Sequence, residues 1–270
     1  MTAAGGARAG FVPRVLAVPA VLGLALLALP LTALVLRVDW STLWTDITSP
    51  EAVSALVLSL VTGLIATAAC VVLGVPLALL IARSGARTAA VLRALVTVPL
   101  VLPPMVGGVA MLFLFGRTSW LGGILAEWGL RIPFTTSAVV LAQTFVALPF
   151  LVLALEGSLR TTGVGYEQAA AALGAGRWTI LGRVTLPLAA PGLIAGIVLC
   201  FARAIGEFGA TALFAGNAPG VTQTMPLAIY TAFNGAGVSQ GTAVALSLLL
   251  LVTAVAVLLL VRAWRPEAQR

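Results

Sequence analysis

Residues 52–82 read AVSALVLSLVTGLIATAACVVLGVPLALLIA, 31 positions without a charge, bounded by Glu51 on one side and Arg83 on the other. A helix crosses the hydrocarbon core of a bilayer with about 20 apolar residues, so this stretch already identifies lipid as the solvent of the fold. The same punctuation recurs on both sides of it. Val15–Leu36, Ala94–Gly116 and Ile132–Leu155 carry no charge, Leu188–Phe214 is interrupted only by Arg203 and Glu207, and Thr242–Val261 is uncharged again. The pattern predicts an all-α, polytopic membrane protein with about six transmembrane helices. The 52–82 segment is longer than one straight crossing requires, so an interfacial turn or a tilt is expected there, with Pro76 as a place to kink.

Composition narrows the function. Of 270 residues 61% are hydrophobic and 9% charged, where soluble domains carry about 25% charged residues. There is no His, and all 15 basic residues are Arg. Without His the usual zinc triads and Ser-His-Asp hydrolysis lack an essential group. Without Lys there is no Walker A loop, so this chain does not bind and split ATP by that route. Cys70 and Cys200 lie inside apolar runs, as packing residues do. A net charge of +7 could suggest nucleic acid, but single Arg residues scattered between apolar runs make no basic stripe; they read as membrane topology, with lipid as the partner and no nucleic acid.

Topology follows from where the Arg residues fall. With the N-terminus in the cytoplasm, the inside segments hold eleven: Arg8, Arg14, Arg83, Arg87, Arg93, Arg160, Arg177, Arg183, Arg262, Arg265 and Arg270. The outside segments hold three: Arg37, Arg117 and Arg131. The positive-inside rule then places both termini in the cytoplasm. The first segment, with 22 apolar residues, exceeds a signal-peptide core and reads as an uncleaved span. On the opposite side, the uncharged run TQTMPLAIYTAFN (Thr222–Asn234) forms either a short helix along the membrane surface or a packed surface loop.

The fourth loop, Glu156 to Pro187, is long for a compact protein. Within it, Tyr166–Leu173 favours a helix, with Glu167 near the positive end of its dipole. Gly174 and Gly176 interrupt the chain, Arg177–Val184 resumes it, and Pro187 suits the first turn of the fifth span. Ala169–Ala172 remove side-chain bulk, so the helix either presses into a groove on another protein or simply tethers two spans.

Two further features lie at membrane depth. Arg203 and Glu207 are four residues apart, which puts them on one helical face within pairing reach. Each charge costs about 2.5–3.5 kcal/mol on insertion scales. The pair either locks the bundle or serves an anion path, where Arg203 attracts and Glu207 limits retention; Gly206 and Gly209 allow a neighbouring backbone to approach. In VPLVLPPMVGGVAML (Val98–Leu112), Pro99, Pro103 and Pro104 remove backbone donors while Gly107 and Gly108 loosen the helix. Broken backbone of this kind is tolerated where it is buried or lines a cavity, although a simple kink is the alternative.

The long loop resembles the EAA loop of bacterial ABC importer permeases, in which EAA is followed by three residues, Gly, nine residues and Ile-x-Leu-Pro. Here Gln168-Ala169-Ala170 precedes Gly174, nine residues follow, and Val184-Thr185-Leu186-Pro187 closes the pattern. Gln168 stands at the usual Glu position, with Glu167 just before it. FARAIGEFGATALFAGN (Phe201–Asn217) and the Val98–Leu112 segment are similar to molybdate and sulfate permeases. Together with EQAA and TQTMPLAIY the likeness is greatest to molybdate permeases, over roughly Glu51 to Arg262.

The resemblance implies a type I ABC importer permease in the cell membrane. It divides the chain into an N-terminal arm with the first helix and loop (1–50), a permease core (51–262) with a coupling loop (156–187), and a cytoplasmic tail (263–270). Glu167, Gln168, Ala169, Ala170, Gly174, Leu186 and Pro187 would couple to the ATPase; Arg203, Glu207, Pro103, Pro104 and Gly107 would line the path or gate. Partners implied are a second copy of the chain, two cytoplasmic ATPase subunits that carry ATP and Mg, and an extracytoplasmic oxyanion-binding protein. The chain itself would hold no cofactor and catalyse no reaction. Molybdate is the expected cargo, with tungstate or sulfate/thiosulfate as alternatives. A secondary transporter would show internal repeats and an ionisable relay, and an intramembrane enzyme a nucleophile with its base; neither pattern is visible.

Overall fold

A computed structural model describes residues 14–237 and 239–263. Arg8, Arg265 and Arg270, and with them the two ends of the chain and most of the tail 263–270, lie outside the described residues. Every regular element among the described residues is helical. The elements are α1 (Ala17–Leu36), α2 (Leu43–Ile47), α3 (Pro50–Arg83), α4 (Ala86–Val101), α5 (Pro104–Phe115), α6 (Trp120–Glu127), α7 (Thr136–Thr162), α8 (Gly165–Ala172), α9 (Arg177–Ile180), α10 (Leu186–Ile205), α11 (Gly209–Phe214), α12 (Met225–Phe233) and α13 (Gln240–Ala263).

The bundle is organised around α7, which packs along both α3 and α10. Small residues make this contact possible. On α3, Ala55, Ser59, Gly63, Ala66, Cys70, Gly74 and Ala78 are buried and recur every three or four positions, a stripe that lets helix backbones come close. At Gly74 an added Cβ would lie 2.7 Å from Leu151 Cδ2 of α7, and at Gly63 3.0 Å from Ile205 Cγ1 of α10. Cys70 and Cys200 are buried free thiols in this core. The N-terminal end of α3 begins with Ser49, whose Oγ accepts from Ala52 N–H (3.3 Å), and with Pro50 in the first turn, where its missing donor costs nothing.

Four helical stretches are long and apolar enough to cross a membrane among the described residues: α1, α3, α7 and the continuous run Arg177–Ile205. The segment read as one third span, Ala94–Gly116, is instead two helices, α4 and α5, bent by 110°. Consecutive prolines explain the break. Leu102 precedes Pro103 and is extended (ψ 136°), because a residue before proline is pushed out of the helical region. Pro104 then starts α5. Of the turn or tilt expected in the second segment, the turn is absent, since α3 is one 34-residue helix through Pro76, about 50 Å long at 1.5 Å per residue.

Other boundaries shift for similarly local reasons. The fourth span ends at Thr162 rather than Leu155, so Glu156 and Arg160 are helical and the long loop is much shorter. The fifth begins at Arg177, ahead of the expected Leu188, and stops at Ile205, with Gly206–Phe208 separating it from α11. The TQTMPLAIY run does form a helix, α12, but Met225, Leu227, Ala228 and Ala232 bury it in the bundle, and its first N–H donates to Ser59 Oγ of α3 (2.7 Å). α1 has no buried residue, and α13 is apolar over Gln240–Ala256.

Candidate functional site

At the end of the bundle that carries Arg83 and Arg160, the chain between α7 and α10 forms an elbow. α8 ends in a left-handed glycine: Gly174 has φ +86°, its N–H donates to Ala171 O, and Ala175 N–H reaches back to Ala170 O (3.1 Å). This is the six-to-one closure that a C-terminal glycine permits. Gly176 is extended and α9 starts directly after it. From Arg177 the chain does not pause. α9 passes through one π-helical turn, Leu181–Thr185, into α10. Pro187 supplies the reason: it has no N–H for the carbonyl of Arg183, and the widened turn absorbs the misfit.

One side chain ties the elbow to its own bundle. Glu167 Oε1 accepts from Arg83 Nη2 (2.5 Å), at the end of α3, and from Thr185 Oγ1 (2.8 Å) in the π turn. The acidic residue beside Gln168 therefore faces inward. Gln168, Ala169 and Gly174 are exposed and Ala170 half-buried. Leu186 is half-buried and Pro187 exposed at the root of α10. Three large apolar side chains point to solvent around this helix, Tyr166 (64% exposed), Leu173 (90%) and Trp178 (85%), and a groove of about 470 Å³ runs between α8 and α9 past Glu167 and Gln168. Singly exposed apolar residues are ordinary, and three this large between Tyr166 and Trp178 are surface that a partner could cover.

A second ion cluster sits close by. Glu156 is buried (3% exposed) and accepts from Arg93 Nη2 (2.5 Å) and Nε (3.2 Å) on α4, and from Arg160 Nε (2.7 Å) one turn along α7. It pins α4 to α7. Sequence reasoning missed this residue because it was assigned to a loop, and the i, i+4 spacing of Glu156 and Arg160 was the available signal. Arg83 and Thr185 were missed as partners of Glu167 because they are 84 and 18 positions away.

Deeper in the bundle the two motifs singled out from the sequence meet. α5, the second half of the bent α4–α5 pair, and the short helix α11 pack against one another. At Gly108 an added Cβ would fall 2.8 Å from Ala210 O, and at Gly209 3.1 Å from Pro104 Cβ and 3.2 Å from Met105 N. At Gly107 an added Cβ would lie 2.9 Å from Phe145 Cε1 of α7. Pro103 and Pro104 remain exposed at the start of α5. Arg203 and Glu207 pair as the spacing predicts (Nη2 to Oε2, 2.5 Å), with side-chain exposures of 25% and 1%, although Glu207 lies beyond the last helical residue of α10. Its other oxygen accepts from Ala210 N–H (2.7 Å). One carboxylate thus neutralises Arg203 and caps α11, satisfying a donor that would otherwise be orphaned. Gln143 of α7, the one side-chain amide in the 132–155 run, is fully buried with neither amide atom bonded.

Comparison with known proteins decides the class. Residues 74–268 match the family described as binding-protein-dependent transport system inner membrane component. The chain belongs to that family. Among its members, the molybdenum transport system permease protein ModB of Mycobacterium tuberculosis (strain ATCC 25618 / H37Rv) is 52% identical over 254 residues, covering 94% of this chain and 95% of the relative. The sulfate transport system permease protein CysT of Escherichia coli (strain K12) is 34% identical over 208 residues, 76% of this chain and 75% of that one. In architecture, a bacterial alginate ABC transporter crystallised with an alginate pentasaccharide-bound periplasmic protein superposes with a TM-score of 0.70 over 94% of this chain and 93% of its own, at 16% identity, which establishes a shared fold. The family member described here is a multi-pass membrane protein of the ABC importer permease type, and its role is transport.

Proposed function

We propose that this chain carries molybdate through the cell membrane as one half of a homodimeric ABC importer permease, with both termini in the cytoplasm. The observation that carries the reading is the likeness to molybdenum permeases over nearly the whole chain, closer than the likeness to the sulfate permease. Two ATPase subunits, which supply ATP and Mg, dock on the α8–α9 elbows of the two copies. An extracytoplasmic protein delivers the oxyanion. One elbow per chain favours two copies, because two docking surfaces are needed for two ATPases.

The geometry gives this reading a mechanical route. The continuous run Arg177–Ile205 joins the exposed elbow to Arg203, 26 positions on, which at 1.5 Å per residue is about 40 Å. Closure of the ATPases moves the elbow, the run carries the displacement as one rod, and its far end moves α11 against α5. The Glu167 tie to Arg83 and Thr185 makes α3 follow the same movement. Arg203 offers the passing oxyanion a cation already neutralised by Glu207, so that the anion is attracted without being trapped. No bond is made or broken, and molybdate emerges unchanged.

Reconstitution in proteoliposomes with the ATPase and the binding protein tests this. Molybdate-loaded binding protein should stimulate ATP hydrolysis and uptake, and Gly174→Arg should abolish uptake while the permease still folds. Uptake that survives Gly174→Arg overturns the elbow as the coupling point. Stimulation by sulfate alone overturns the cargo and favours the reading that the sulfate permease likeness supports.

A further inference from the structure

We infer that the cleft between α1, α2 and α13 is a binding site for one phospholipid whose headgroup carries both a phosphate and a primary ammonium. The cleft has a volume of about 520 Å³, in the range of small-ligand sites. Ala33 and Leu34 of α1 and Val244 and Ala245 of α13 form its apolar walls, while Arg37 and Asp39 stand at one end. α1 buries none of its residues against protein, so the apolar walls of the cleft leave room for an acyl chain. The charged end lies at the membrane surface: Arg37 directly follows the apolar helix α1, and Trp40 (64% exposed) and Trp44 (74%) flank it, as aromatic residues do at the headgroup level.

The cleft is held open by defined contacts. Asp46 of α2 accepts from Thr242 Oγ1 of α13 (3.0 Å) and from Thr42 Oγ1 (2.9 Å), and Gly241 leaves room for that carboxylate, an added Cβ there falling 3.1 Å from Asp46 Oδ2. Both oxygens of Asp46 are thereby engaged, one across to α13 and one within its own turn. Asp39 differs. One of its oxygens accepts from Ser41 N–H (3.0 Å) and Ser41 Oγ (2.6 Å), which also holds its carboxyl below the usual Asp range, while the second oxygen has no bond among the described residues. Arg37 likewise forms no ion pair among them.

This charge pattern selects the headgroup. Arg37 suits a lipid phosphate, and the open edge of Asp39 suits an ammonium that can donate hydrogen bonds. A headgroup with phosphate alone meets the negative charges of Asp39 and Asp46. A choline headgroup presents methyl groups in place of N–H donors. Phosphatidylethanolamine satisfies both ends at once.

Native mass spectrometry of the full-length protein, incubated with palmitoyl-oleoyl phosphatidylethanolamine, phosphatidylcholine and phosphatidylglycerol, reads the site directly. The wild-type chain should retain one phosphatidylethanolamine over either other lipid by roughly tenfold, the discrimination that one charge-assisted hydrogen bond supplies. Asp39→Asn should erase the preference over phosphatidylcholine, Arg37→Gln should lower retention of both, and Ala33→Trp, which fills the cleft, should lower retention of all three. Equal retention of the three lipids by the wild-type chain, a reading that needs no variant, overturns the inference. So does an unchanged preference in Asp39→Asn.

Discussion

The elbow and the α5–α11 crossing are both built around glycine and a carboxylate, yet they use them in opposite ways. At the elbow, Gly174 is required for its positive φ and has nothing within 4 Å of the position a Cβ would take; the space beyond it is open, and Leu173 and Trp178 face outward. At the crossing, Gly108 and Gly209 are required because backbone from the other helix occupies the space a side chain would need. Glu167 at the elbow is partly exposed and joins three elements through hydrogen bonds, whereas Glu207 is buried and serves one ion pair and one cap. The elbow, where docking is proposed, keeps its apolar groups free, and the crossing removes side chains altogether. Substitutions should separate the two regions accordingly.

The largest effect is expected at Glu207. Glu207→Gln leaves Arg203 without a neutralising charge in a largely buried setting, and breaking such a pair costs about 3–5 kcal/mol. Thermal unfolding in detergent should show the loss, and the double change Arg203→Gln with Glu207→Gln should recover part of it; if the single change is neutral, the pair does not hold the crossing. Next comes Gly108→Val, which forces α5 away from Ala210 and should cost about 1–3 kcal/mol by overpacking. An unaltered unfolding midpoint would mean that the two helices are not in backbone contact. Gly174→Ala meets no neighbour and carries only the strain of a left-handed residue, about 1–2 kcal/mol, so a loss exceeding that of Gly108→Val would reverse the comparison. Smallest of all, Trp178→Ala at the exposed elbow should alter stability by no more than about 0.5 kcal/mol while weakening co-purification with the ATPase subunit. Retention of full co-purification would remove Trp178 from the proposed docking face.

Much of this was legible in the sequence. Apolar runs between charges located the membrane helices, the 168–187 spacing located the elbow, and the separation of four residues brought Arg203 to Glu207. The rest depended on partners distant along the chain. Pro103 and Pro104 announced a break, but the 110° it turns through and the packing of α5 on α11, about 100 residues later, were not readable from neighbouring residues. Glu156 looked like the first residue of a loop because a charge usually ends an apolar run, yet Arg93 compensates it and α7 continues to Thr162. Gln143 gave a signal, a single amide among apolar neighbours, whose complete burial no periodicity could reveal.

By itself the sequence determined that the chain is helical and built for lipid, and where a short helix interrupts the chain between the fourth and fifth apolar runs, because hydropathy and glycine or proline placement act over a few neighbouring residues. Only the tertiary structure decided that Arg177–Ile205 forms one continuous rod, that Glu167 faces inward, and that α5 and α11 touch through glycine. Those outcomes rest on steric fit and charge pairing between segments far apart in the chain, and such contacts exist only once the bundle has closed around α7.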